Sequence, residues 1–149
     1  MLLPIIILIL ISFLQATFLP LNLVLIFLIC RSFIVEDNTN YWLAFGFGLL
    51  LSLLLGFPLG SLSFIYLVGI FMVYLAKRTH FASHWLVIVP LALGIIVFDQ
   101  VLENLALGFN LNFKSIIIQI ILVLPAYFMI LFWEERFIAR KDIRLKIGK

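Results

Sequence analysis

Residues 46–69 read GFGLLLSLLLGFPLGSLSFIYLVG, a run without a single charge in which Gly48, Ser52, Gly56, Pro58 and Gly60 interrupt the leucines. Gly48, Ser52 and Gly56 lie four residues apart. At helical spacing they share one face and give it almost no side-chain bulk. In lipid there is little hydrophobic drive between helices, so close backbone approach and dispersion must hold them together, and small-xxx-small faces allow that approach. Gly56-Phe57-Pro58-Leu59-Gly60 then ends one helix and begins another. Gly tolerates the left-handed turn, and Pro suits a helix start because it has no N–H to satisfy there. The stretch predicts a tight helical hairpin whose smooth face serves either packing within the chain or a partner's helix.

The rest of the chain fits that solvent. Of 149 residues 66% are hydrophobic and 11% charged, and mean hydropathy is +1.31. A water-soluble domain carries about 25% charged residues, so this chain cannot cover itself in water. The expected fold class is all-α, a polytopic membrane bundle of about six transmembrane helices. A span needs about 20 apolar residues. The apolar runs place spans at 1–18, 21–35, 41–56, 61–76, 85–107 and 115–133, in one integral membrane domain with a basic tail at 134–149. The first two are divided because Met1 to Val35 as one helix would exceed 50 Å at about 1.5 Å per residue, and Gln15, Thr17, Pro20 and Asn22 offer a turn. The apolar N-terminus lacks the basic region and small-residue cleavage site of a signal peptide. It is expected to remain as a helix. The lone Cys30 excludes an internal disulfide and reads as a packed thiol.

Basic residues set the orientation. Arg31, Lys77, Arg78, Arg136, Arg140, Lys141, Arg144, Lys146 and Lys149 fall on one side of a six-helix chain, nine of the ten, with Lys114 across the membrane. Cytoplasmic loops collect Lys and Arg, so both termini are expected in the cytoplasm. Trp42, Trp85 and Trp133 fall at that same interface, where indole rings prefer to sit. The tail interleaves apolar residues with cations and suits an anionic leaflet. That composition reads as lipid contact rather than nucleic-acid binding.

Asp99, Gln100 and Glu103 are the strongly polar group inside a span. Asp99 and Glu103 share a helix face, and intramembrane carboxylates suggest a functional site. Counted from Trp85 they lie about 21 and 27 Å along the helix, near its outer end, within reach of Lys114. A structural or partner-contact role competes there with cation or proton coordination. His80 and His84 have i, i+4 spacing, but catalytic zinc usually has three protein ligands and no Cys or carboxylate stands beside them. No hydrolase, metalloprotease or phosphate-loop motif occurs. No catalytic residue, metal or cofactor is therefore expected.

The run from Gly46 to Gly60 resembles the signature of the rod shape-determining protein MreD family. Gly56, Pro58, Gly60 and the closing Lys77-Arg78 match its Gly-x-Pro-x-Gly turn and basic helix end. Leu14 to Pro20 resembles the end of that family's first helix, and Pro125-Ala126-Tyr127 stands where its last helix carries a Pro. Ser52 occupies a position where the family often has Asp, and the Asn often found after the Pro is missing. The resemblance implies a non-catalytic subunit of the bacterial cell-elongation machinery in the inner (cytoplasmic) membrane. Such a subunit binds MreC and links MreB filaments to peptidoglycan synthases. The alternative is a substrate-binding membrane subunit of an energy-coupling-factor vitamin transporter. That alternative wants a small-residue face on its first helix, where this chain has bulky Ile and Leu.

Overall fold

The computed structural model of the chain describes residues 2–17, 21–78, 87–107 and 113–146, leaving the side chains of residues 2–3, 103, 105–107 and 134–146 undescribed. The described residues are all-helical: α1 (Leu2–Thr17), α2 (Leu23–Ile34), α3 (Thr39–Leu55), α4 (Ser61–Lys77), α5 (Ile88–Leu107) and α6 (Phe113–Lys146). One segment, Phe113–Trp133, is both long and apolar enough to cross a membrane by itself, and the other apolar helical segments are shorter. His80, His84 and Trp85 lie outside the described residues, as do the side chains of the basic tail.

The bundle is built around its shortest helix. α2 has 12 residues and packs against all five others. Val24, Leu25, Ile26, Leu28, Ile29, Cys30 and Phe33 are all buried, and one face with Leu23, Phe27 and Ile34 is half-buried. A helix apolar all round belongs in a core rather than on a surface. The outer helices turn large apolar side chains outward instead, among them Leu10, Phe64, Ile121 and Phe132. Such a surface is unfavourable in water, at about 25 cal/mol per Å² of apolar area, and costs nothing against hydrocarbon.

α3 and α4 form the predicted hairpin. Gly56 caps α3 at φ 71° and Gly60 precedes α4 at φ 91°, the left-handed region where a side chain is strained. The Phe57 amide donates back to the Ser52 carbonyl at 2.9 Å, and the Ser61 hydroxyl closes the turn onto the Pro58 carbonyl at 2.8 Å. The smooth face is real but shorter than its spacing suggested. A Cβ on Gly48 would sit 2.4 Å from Ser63 Cα, whereas nothing lies within 4 Å of one on Gly56. Gly48 is thus the packing glycine, and Gly56 and Gly60 serve backbone conformation. Ser52 is buried in the seam, its hydroxyl donating to the Gly48 carbonyl at 2.9 Å. Ser63 crosses from α4 to the Phe45 carbonyl at 3.0 Å.

α6 does not stop at Trp133. It continues as one helix to Lys146, with Pro125 inside it. The tail that the sequence set apart from the last span is a continuation of the same helix.

Candidate functional site: the buried start of α2

α2 begins inside the protein, and a helix start leaves four amide donors without intrahelical acceptors. Each one stranded in a dry interior costs about 1–3 kcal/mol. Those of Leu23, Val24 and Leu25 are satisfied from outside the helix, and the Ile26 amide makes the first intrahelical bond. The Leu23 amide donates to the Leu21 carbonyl at 2.9 Å, and the Ile26 amide to the Asn22 carbonyl at 3.2 Å. The Val24 amide donates to Gln15 Oε1 at 3.1 Å, and the Leu25 amide to Asn22 Oδ1 at 3.4 Å. Gln15 comes from the end of α1, so the preceding helix supplies part of the cap.

Asn22 is the hub. Its Oδ1 also accepts from the Tyr66 hydroxyl of α4 at 2.6 Å and from Gln15 Nε2 at 3.3 Å. Its Nδ2 donates to Asp99 Oδ2 of α5 at 2.9 Å. Tyr66 is fully buried and Asp99 is 1% exposed. Asn22 thus joins groups from α1, α4 and α5 at the amino end of α2. The partial positive charge of that helix end favours a carboxylate, which gives Asp99 a physical reason to sit there.

The polar group read from the sequence divides. Asp99 turns to α2, while Gln100 Nε2 reaches Ser115 Oγ of α6 at 3.5 Å, where Gln119 Nε2 also donates at 3.0 Å. The Glu103 side chain lies outside the described residues. Asp99 meets a neutral amide rather than the Lys114 anticipated from depth alone, and Lys114 is exposed on α6.

A second polar knot fixes the opposite end of the bundle. Arg31, buried near the end of α2, donates through Nη1 to Asn40 Oδ1. Asn40 Nδ2 donates to the Val35 carbonyl at 2.8 Å and to the Tyr74 hydroxyl at 3.3 Å, and that hydroxyl donates to the Asp37 carbonyl at 3.0 Å. Tyr74 stacks on Tyr41 with ring centroids 5.3 Å apart. Lys77 pairs with Glu36 at 3.0 Å, while Arg78 stays exposed. Two hydrogen bonds from Thr39, hydroxyl first and then amide, hold the Asp37 carboxyl below its ordinary range, with a smaller contribution from the Arg31 charge.

Sequence reading missed Gln15, Asn22 and Tyr66 as members of one site. Gln15 and Asn22 stood out as a turn, and their isolation among apolar residues was the available signal. No family model, curated protein or solved structure matches the chain.

Proposed function

We propose that the chain is a non-catalytic scaffold subunit of the bacterial elongation machinery. In this reading it is a six-span inner-membrane bundle with both termini cytoplasmic. It binds an MreC-like membrane partner and, directly or through it, links MreB filaments to peptidoglycan synthases. The observation that carries the reading is the α3–α4 hairpin. Its turn places Gly56 and Gly60 at positive φ around Pro58, which gives a physical reason for the Gly-x-Pro-x-Gly pattern on which the family resemblance rests. The outward apolar side chains support membrane residence. Lys77 and Arg78 at one end of the bundle, with the basic residues after Trp133, support the orientation.

Asp99, buried against Asn22 at the start of α2, favours a second reading as a transporter subunit, because ionisable side chains inside a span mark ion or substrate pathways. Asp99 separates the two. In a scaffold, Asp99→Asn preserves shape and the capacity to accept a hydrogen bond, so co-purification of an MreC-like partner and rod shape both survive. Asp99→Leu removes the acceptor and weakens assembly. If Asp99→Asn abolishes function while the complex stays intact, an ion-linked transport activity replaces the scaffold. Reporter fusions at Asn38 and Lys149 test the topology, and a periplasmic signal at Asn38 overturns the helix count.

A further inference from the structure

A cleft of about 490 Å³ opens beside the loop at 35–38, between Glu36, Tyr41, Tyr74, Lys77 and Arg78. Its back wall is held from inside the protein. Buried Asn40, itself bonded by Arg31, donates to the Tyr74 hydroxyl, and that hydroxyl donates to the Asp37 carbonyl. The Tyr74 ring in turn stacks on Tyr41. Lys77 is held on two sides, by Glu36 at 3.0 Å and by the Phe33 ring, whose centroid lies 6.0 Å from the ammonium. Side chains fixed in this way lose little freedom when a ligand arrives.

The polar groups around this cleft are mainly donors. The Arg78 guanidinium and the Tyr41 hydroxyl make no hydrogen bond or ion pair among the described residues, and an ammonium has three donors, of which Glu36 takes one. Two cations against one carboxylate leave a surplus of one positive charge. A phosphodiester, with one negative charge, balances that surplus, and guanidinium groups are well matched to phosphate oxygens. A monoester brings about −1.5 to −2 at pH 7 and overshoots it. Phe71 and Leu75 line the same cleft and are exposed. With Arg78, which caps α4 in helical conformation at φ −71° and ψ −16°, they follow in steps of four and three on one helix face. An apolar rim therefore adjoins the donors, and a free anion in water gains nothing from it. We infer that the cleft binds the phosphodiester of an anionic phospholipid, with Arg78 and Lys77 on its oxygens and its apolar part along Phe71 and Leu75. No MreC-like partner is involved, so the scaffold reading can fail while this site stands.

The test is native mass spectrometry of the full-length protein in an uncharged detergent. The protein is titrated with phosphatidylglycerol and with diacylglycerol of the same chains, and inorganic phosphate is added as a competitor. Phosphatidylglycerol is expected to bind more tightly than diacylglycerol and to resist an equal concentration of phosphate. Arg78→Gln, at an exposed position, should weaken phosphatidylglycerol binding roughly tenfold through the loss of charge-assisted hydrogen bonds. Glu36→Gln releases Lys77 from its ion pair and should tighten binding by up to about fivefold, the opposite of what a merely structural pair predicts. Lys114→Gln, on the first turn of α6, should leave binding unchanged. Diacylglycerol binding as well as phosphatidylglycerol overturns the proposal, because the phosphate is then not recognised. Displacement by an equal concentration of inorganic phosphate overturns it in favour of a free anion. Equal losses in Arg78→Gln and Lys114→Gln, or weaker binding in Glu36→Gln, overturn it as well.

Discussion

The α3–α4 hairpin and the start of α2 solve the same problem, holding helices together, by opposite means. The hairpin removes side chains: Gly48 brings the α3 backbone against Ser63, and the Ser63 hydroxyl bonds to the Phe45 carbonyl across the narrow gap. Its contacts join segments near in sequence. The α2 start adds polar side chains: Gln15, Asn22, Tyr66 and Asp99 converge from four segments, Asn22 and Asp99 being 77 positions apart. The first device is steric and local. The second depends on hydrogen bonding and on the whole bundle. They should therefore fail differently.

The largest effect is expected at the hub. Asn22→Leu takes a partner from the Leu25 amide, the Tyr66 hydroxyl and Asp99 at once. Stranding the buried Leu25 amide costs about 1–3 kcal/mol and each other lost hydrogen bond about 0.5–1.5 kcal/mol, so the loss should reach roughly 2–5 kcal/mol. Thermal unfolding in detergent measures it, and a loss no larger than that of an ordinary helix cap, about 1 kcal/mol, breaks the comparison. In the hairpin, Gly48→Val forces the α3 and α4 backbones apart and should cost about 2–3 kcal/mol. Gly46→Ala one half-turn away meets nothing within 4 Å and should be neutral or slightly stabilising, because glycine is a poor helix former.

The turn gives a sharper and smaller effect. At Gly56 the penalty is conformational, about 1–2 kcal/mol for leaving a side chain in the left-handed region. Gly56→Ala and Gly56→Leu should therefore unfold alike. A leucine variant far worse than the alanine one would return Gly56 to the packing face. The smallest effect concerns Asp37, outside the packed seams. Its folded-state pKa is lowered from 3.8 by Thr39, so its contribution is present above that value and lost as pH falls through the lower folded value. Thr39→Val removes the largest cause, and carboxyl titration by NMR should show the Asp37 midpoint rising.

The hairpin was legible because its device is written in consecutive residues. A charge-free run broken by Gly-x-Pro-x-Gly admits few backbone paths, and the spacing of Gly48 and Ser52 already marks a face. Which glycine touches the neighbouring helix was not legible, since Gly48 and Gly56 look alike in sequence and differ in φ and in what stands opposite. The α2 start was half legible. Gln15 and Asn22 were visible as polar residues in an apolar stretch, and Asp99 as a costly carboxylate, but nothing in their spacing connects them.

By itself, the sequence determined that this chain folds as helices rich in apolar side chains. It also determined the turn between α3 and α4, because glycine and proline act over a few residues, but not that α6 runs on past Trp133. The tertiary structure alone decided that the shortest helix lies at the centre, that its buried start is capped from α1, and that Asp99 faces Asn22 rather than Lys114. Those outcomes depend on which helices become neighbours, and that is fixed by the simultaneous satisfaction of backbone donors from distant segments in a dry interior.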